Sequence, residues 1–163
     1  MRFVKLVMIG VVLVGLSGCS SKFKSYHGPE VTRIEVFKDK RQMQLLHQNK
    51  VLKSYKIGLG FDPKGHKTVS GDGKTPEGKY YIDRRNPDSQ FHLSVGISYP
   101  NNADRAQAYA KGRSPGGDIF IHGQSKERQR SRDWTAGCIA VRNREIEEIY
   151  AMVREGTPIL IYP

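Results

Sequence analysis

The stretch IHGQSKERQRSRDWTAGCIAV, residues 121–141, sets a histidine ahead of a glycine and, beyond a run of charges, a cysteine behind a glycine. Asp118-Ile119-Phe120-Ile121 reads as a strand that delivers His122 at its edge, and Cys138 to Val141 reads as a second short strand. Fifteen residues separate the two side chains in sequence, yet neighbouring strand ends would bring an imidazole and a sulfur within hydrogen-bond reach. The loop between them would form the lip of a cleft.

Outward from this stretch the chain is patterned as short strands. VTRIEVF (31–37) alternates apolar and polar residues in imperfect phase, and QMQLLHQ (42–48) with VLKSYKIGL (51–59) flanks a Gln48-Asn49-Lys50 turn as a hairpin. GDGKTPEGKYYI (71–82) joins glycines and a proline to another strand, while FHLSVGISYP (91–100) and GDIFIHG (117–123) supply two more. Such spacing predicts an antiparallel sandwich or barrel. A short helix is expected around Asn102 to Ala110. A clearer one is expected over REIEEIYAMVRE (144–155), with Asn143 as N-cap, Ile146, Ile149, Tyr150 and Val153 on one buried face, and Gly156 as its stop before a last strand, ILIY (159–162).

The 163 residues suffice for one domain with a core, and the net charge of +11 points to anionic surroundings. Aromatic residues are not interleaved with the basic ones, so nothing beyond charge supports a nucleic-acid face and no nucleic-acid partner is expected. GDGKT (71–75) lacks the leading glycine of a phosphate-binding loop, because Thr68 stands there, and it reads as a turn. His27, His47, His66 and His92 show no metal-ligand spacing, so neither a metal nor a cofactor is expected.

At the N-terminus, Arg2 and Lys5 precede an apolar run from Leu6 to Leu16 that is too short for the roughly 20 residues of a membrane-spanning helix. Residues 1–18 are expected to be an export signal. Leu16-Ser17-Gly18-Cys19 resembles the lipobox of bacterial lipoproteins, in which cleavage falls before the cysteine and that cysteine takes the lipid. Lipidation at Cys19 would tie the chain to a membrane, facing the periplasm, with Ser20 and Ser21 favouring the outer membrane. Residues 19–30 are expected to be a polar tether without chemistry, and 31–163 the functional domain. Processing would leave 25 Lys and Arg against 16 Asp and Glu, a charge of +9.

With Cys19 lipidated, Cys138 would be a lone thiol in an oxidising compartment, where cysteines usually pair or are absent. Catalysis would supply the reason for it. A neighbouring imidazole can take the thiol proton and hold an imidazolium-thiolate pair, and the thiolate attacks a carbonyl. On this reading Gly137 and Gly123 clear space for the substrate, backbone N–H groups near Cys138 cradle the oxyanion, and the Gly123 carbonyl fixes the imidazole tautomer.

HG, about fifteen residues, then T-x-G-C-I resembles the catalytic signature of the L,D-transpeptidase (YkuD-type) family; GDGKTPEGKYYI and SPGGDIFIHG are also similar to that family, over Val31 to Pro163. The resemblance implies a mainly β fold, the family's mixed β-sandwich with one or two short helices. It implies Cys138 as nucleophile, His122 as base and then acid, and Gly123 as the orienting carbonyl. The implied activity is attack on tetrapeptide stems of peptidoglycan between the L-centre of meso-diaminopimelate and the terminal D-alanine. The acyl group would pass through a thioester to an amine on another stem, a D-amino acid or a wall protein. Thr135, Gly137, Arg142 and Tyr99 are the candidate substrate contacts. Where the family often carries arginine two residues after the cysteine, this chain has Ala140. Arg142 would replace it if the strand continues, and relatives with alanine here resemble hydrolases that release proteins or amino acids from peptidoglycan.

Blander assignments stand beside these. Cys138 would otherwise be a small buried hydrophobe and His122 a satisfied core residue, in a non-enzymatic wall-binding lipoprotein. Lys126, Arg128, Arg130 and Arg132, against Glu127 and Asp133, form either a solvated face or an attractor for stem carboxylates. Trp134 is either a lid anchor or packing.

Overall fold

Alternation in the sequence becomes sheet, with every second side chain of Arg33–Phe37 buried. The computed structural model describes residues 21–124 and 131–163. Its strands are β1 (Arg33–Phe37), β2 (Gln42–His47), β3 (Lys50–Lys56), β4 (Gly78–Asn86), β5 (Ser94–Ile97), β6 (Phe120–His122), β7 (Ile139–Ala140) and β8 (Pro158–Tyr162), with helices α1 (Asn102–Ala110) and α2 (Asn143–Met152). In β1, Ile34 and Val36 are fully buried while Arg33 and Glu35 pair on the other face, which fixes the register against slippage.

The strand order is β3-β2-β1-β8-β4-β5-β6-β7. Most neighbours are antiparallel, but β1 runs parallel to β8 and β6 parallel to β7. The sheet is therefore mixed rather than wholly antiparallel. Its outer strands meet. Gly58, just past β3, exchanges both backbone hydrogen bonds with Ala140 of β7 at 2.8 and 2.9 Å, and the Phe61 amide donates to the Thr135 carbonyl at 2.9 Å. Pairing the two edges removes the exposed ladder groups that an open sheet would leave. The core lies inside, from Leu45, Tyr80 and Ile82 through Val95 and Ile121 to Ile159 and Ile161. A large apolar side chain buried there contributes about 1.5–3 kcal/mol.

Helix α2 lays Ile146 and Ile149 on this core, with Tyr150 half-buried beside them, and packs against β5 and β6. Its ends differ from the sequence reading. Arg142 is the N-cap, because the Asn143 side chain is used elsewhere: its Oδ1 accepts the Gln124 amide at 2.8 Å. The helix closes at Val153, which turns extended, and Gly156 (φ +86°) serves the following turn, donating its amide to Ile82. Helix α1 starts at Asn101, whose side chain and Asp104 cap each other's amides at 3.0 and 2.9 Å.

The segment from Ser21 to Glu30 is docked rather than free. Lys22 Nζ donates to the carbonyl of Pro87 at 2.6 Å, Lys24 pairs with Glu147 at 3.1 Å, and Phe23 leans on Tyr150 with centroids 6.2 Å apart. Composition alone suggested a tether, but lysine ends that find carbonyl and carboxylate partners hold the segment down. The expected export signal, Cys19, and the loop positions Lys126, Glu127, Arg128 and Arg130 lie outside the described residues.

Candidate active site

Parallel pairing sets the site. Ile121 is opposite Ile139 and His122 opposite Ala140, so Cys138 lies one residue before the paired part of β7, at the level of Phe120. Its Sγ occupies the edge of β6. It accepts from the Phe120 amide at 3.4 Å, and its S–H donates to the Asp118 carbonyl at 3.4 Å. Two residues further along the same strand, roughly 7 Å at strand rise, stands His122.

The imidazole is held on all sides. Nδ1 lies 2.6 Å from the Gly123 carbonyl, which can only accept, so Nδ1 carries the proton and Nε2 keeps its lone pair. Phe91 stacks on the ring at 4.4 Å and Trp134 meets it edge-on at 5.6 Å. Burial in this aromatic cage pushes the His122 pKa down, against the raising effect of the Gly123 carbonyl. Burial also pushes the Cys138 thiol up, with the Phe120 amide opposing it, the charge of Asp118 adding to it, and Lys67 and Arg84 drawing it back.

These shifts have opposite consequences from an ion pair. A thiol pushed above its usual range and an imidazole pushed below its own both favour their neutral forms, and the S–H donates to the Asp118 carbonyl. Both directions weigh against the expected imidazolium-thiolate at rest. The sign for pH follows. Protonation of His122 removes the base only below the ordinary imidazole value of about 6.5, so kcat/KM should hold its plateau into mildly acidic pH. Alkylation of Cys138 by iodoacetamide should still be rising at pH 9; a rate already level between pH 5 and 7 would mean an ion pair.

The turn carrying the cysteine is built by Thr135. This buried hydroxyl accepts the Gly137 amide at 3.2 Å and donates to the Cys138 carbonyl at 2.7 Å. It is a positioning residue, not a substrate contact. With the Gly137 amide engaged, the Cys138 amide, which has no acceptor among the described residues, is the one left for an oxyanion. The glycines also work inward. A Cβ on Gly123 would lie 2.6 Å from both Asn143 Oδ1 and the Phe91 carbonyl, and one on Gly137 would lie 2.7 Å from the Lys74 carbonyl. Each makes room for the close packing around the turn and the strand end.

GDGKT forms the wall beneath this turn. Asp72 accepts from the amides of Thr68, Val69 and Lys74 and from Lys67 Nζ. Burial opposes ionisation of Asp72, but Lys67 and those amides outweigh it and hold the carboxyl at about 2. Thr75, fully buried, accepts the Gly60 amide at 3.2 Å.

Two candidate contacts fall away. Tyr99 is buried, its hydroxyl donating to the Pro115 carbonyl at 3.0 Å and its ring packed edge-on against Tyr80, so no substrate can reach it. Strand β7 ends at Ala140, which turns Arg142 away onto the helix N-cap. There its guanidinium pairs with Glu145 and lines a depression with Ser54 and Lys56. Phe91 carries no motif that a single sequence would flag, and Trp134 proves to be a packing partner of the imidazole.

Comparison with known proteins agrees with this geometry. YafK of Escherichia coli (strain K12) is 31% identical over 94% of this chain, which spans 65% of that relative's length. The helical cell shape determining protein Pgp2 of Campylobacter jejuni superposes with a TM-score of 0.65 at 25% identity over 83% of this chain and 49% of its own. Bd1075 of Bdellovibrio bacteriovorus does so at 0.60 and 26%, over 82% and 48%. An Enterococcus faecium L,D-transpeptidase, at 18% identity over 82% of this chain and 50% of its own, shares the fold with a TM-score of 0.56. The L,D-transpeptidase catalytic domain model (YkuD) matches residues 31–161. Since that match runs from the strand before the hairpin to the last residue but two, taking in both partners of the closing seam, the chain belongs to the L,D-transpeptidase catalytic domain family.

Proposed function

We propose that this chain is a peptidoglycan L,D-transpeptidase that works through a thioester on Cys138. The observation that carries the reading is the tie between His122 Nδ1 and the Gly123 carbonyl, which leaves Nε2 as a base two residues along the strand from the thiol. Nε2 takes the S–H proton as Sγ adds to the carbonyl of a stem peptide. The developing oxyanion meets the Cys138 amide. Collapse breaks the C–N bond, and the Nε2 proton leaves with the departing amino acid as its amine. An acceptor amine then adds to the thioester, gives its proton to Nε2, and releases the thiol as the new amide forms.

The proposal includes a periplasm-facing position in a bacterial envelope, held by lipid on Cys19. Support for it comes from the lipobox-like Leu16-Ser17-Gly18-Cys19 and the excess of basic residues.

Incubation with tetrapeptide-bearing muropeptides, read by mass spectrometry, tests these statements. Cross-linked dimers or exchanged D-amino acids are expected, with an acyl adduct on Cys138. Shortened stems with no dimer would make water the acceptor and the chain a hydrolase. The absence of any adduct or product would end the enzymatic reading, and an unmodified Cys19 peptide from cells would end the lipid anchor.

A further inference from the structure

Register across three strands places an arginine at the cysteine, although no motif marks it. Arg84 of β4 pairs with Gly96 of β5, and Gly96 pairs with Phe120 of β6. Residues in register share a face, so Arg84 and Phe120 stand on the same side of the sheet with a bare glycine between them. The arginine lies flat through that gap. A Cβ on Gly96 would fall 2.5 Å from Arg84 Cγ and 2.9 Å from its Nε. The guanidinium ends over the Phe120 ring, 4.5 Å from the centroid, and the amide of that same residue touches the cysteine sulfur. Its remaining N–H groups reach Asp83 at 3.0 Å and Asp118 Oδ1 at 3.1 Å.

Asp118 links the two centres. Its carbonyl accepts a hydrogen bond from the thiol and its carboxylate, 92% exposed, pairs with Arg84, while its backbone sits at φ +54°, a conformation uncommon outside glycine. An exposed carboxylate gains little from such a pair and is readily exchanged for another. Arg84, by contrast, is fixed by the glycine gap and the ring beneath it, and presents a planar fork suited to a carboxylate.

We propose that Arg84 is the specificity residue that grips the carboxylate of the amino acid about to leave, with Asp118 holding that position until substrate arrives. This rests on Cys138 being the nucleophile. The carboxylate of the leaving residue lies three bonds from the scissile carbonyl carbon, which matches a guanidinium held one strand over from the sulfur. It also supplies a cation in a chain whose position 140 is alanine and whose Arg142 points elsewhere.

The test uses the full chain with Cys138→Ala, which binds without reacting, and a tetrapeptide stem as the free acid or as its C-terminal carboxamide, by calorimetry. The arginine-bearing protein should prefer the acid by about tenfold or more, the scale of one charge-assisted contact. Arg84→Gln should erase that preference by weakening the acid alone, and Arg84→Lys should restore it only in part. Equal binding of acid and amide by the arginine-bearing protein, or a preference undiminished in Arg84→Gln, overturns the assignment. Acyl-adduct formation by unsubstituted protein judges the nucleophile separately. Without an adduct but with an Arg84-dependent preference, the chemistry fails and the carboxylate site stands.

Discussion

Cys138→Ser is expected to abolish acyl-adduct formation and product together, lowering kcat by at least about four orders of magnitude. A hydroxyl is a far weaker acid than a thiol, and burial disfavours ionisation even of the thiol. Burial already raises the Cys138 pKa and lowers that of His122, so the base has little driving force in reserve. Only the intrinsic nucleophilicity of sulfur makes attack possible as the proton leaves, and serine removes it. The fold should be untouched, because among the described residues Sγ makes two long contacts, both to the edge of β6, and the turn is held by Thr135. A melting curve equal to that of the unsubstituted chain is the control. His122→Ala should cost less, about 10²–10⁴-fold, since it removes a proton acceptor but leaves the nucleophile. Turnover by Cys138→Ser within tenfold of normal would rule out covalent catalysis here.

Much of the fold is legible in local sequence pattern. Alternation located the hairpin of β2 and β3, and the spacing of Ile146, Ile149 and Tyr150 located the buried face of α2, because each is set by residues close in sequence. His122 and Cys138 were legible for a similar reason: each sits beside a glycine at a strand end. Parallel pairing of β1 with β8 was not, since it joins residues more than a hundred positions apart and neither strand carries a mark of its partner. The closing seam was hidden too. Gly58 to Phe61 carries no alternation, and its pairing with Thr135 and Ala140 depends on glycines that let backbones meet.

Residues whose roles depend on register were misread or passed over. Arg142 was a candidate contact only on condition that the strand continues, and nothing in Cys138-Ile139-Ala140-Val141 signals a stop. The strand ends there because Asn143 Oδ1 is drawn to the Gln124 amide and the helix starts one residue early. Lys22 and Lys24 read as solvated tether, since composition cannot reveal the Pro87 carbonyl and Glu147 waiting across the domain. The charge state of the two groups is the subtler matter. Adjacency suggested proton transfer, whereas burial, that of His122 against Phe91 and Trp134, pushes both toward their neutral forms.

Gly137→Ala should be the most damaging change that leaves every reactive group in place. At φ +136° the backbone occupies a region that side-chain-bearing residues avoid, at a cost of about 1–3 kcal/mol. The new methyl would also lie 2.7 Å from the Lys74 carbonyl and 3.1 Å from Ile119 Cδ1. The isoleucine can give, but Lys74 cannot easily, because Asp72 anchors its amide and Thr75 beyond it holds Gly60. Overpacking of this kind adds about 1–3 kcal/mol, a large part of the roughly 5–15 kcal/mol that keeps a domain folded. Relief comes only by lifting the turn, which carries Cys138 one residue on, and a displacement near 1 Å costs about 10²-fold in rate. Urea unfolding should therefore show a loss of about 2–5 kcal/mol, and the fraction that remains folded should acylate at least about a hundredfold more slowly. Ala136→Ser, on the exposed residue next to it, should change neither. If Gly137→Ala melts and acylates like the unsubstituted chain, the turn is not fixed by the backbone beneath it, and the placement of the sulfur needs another cause.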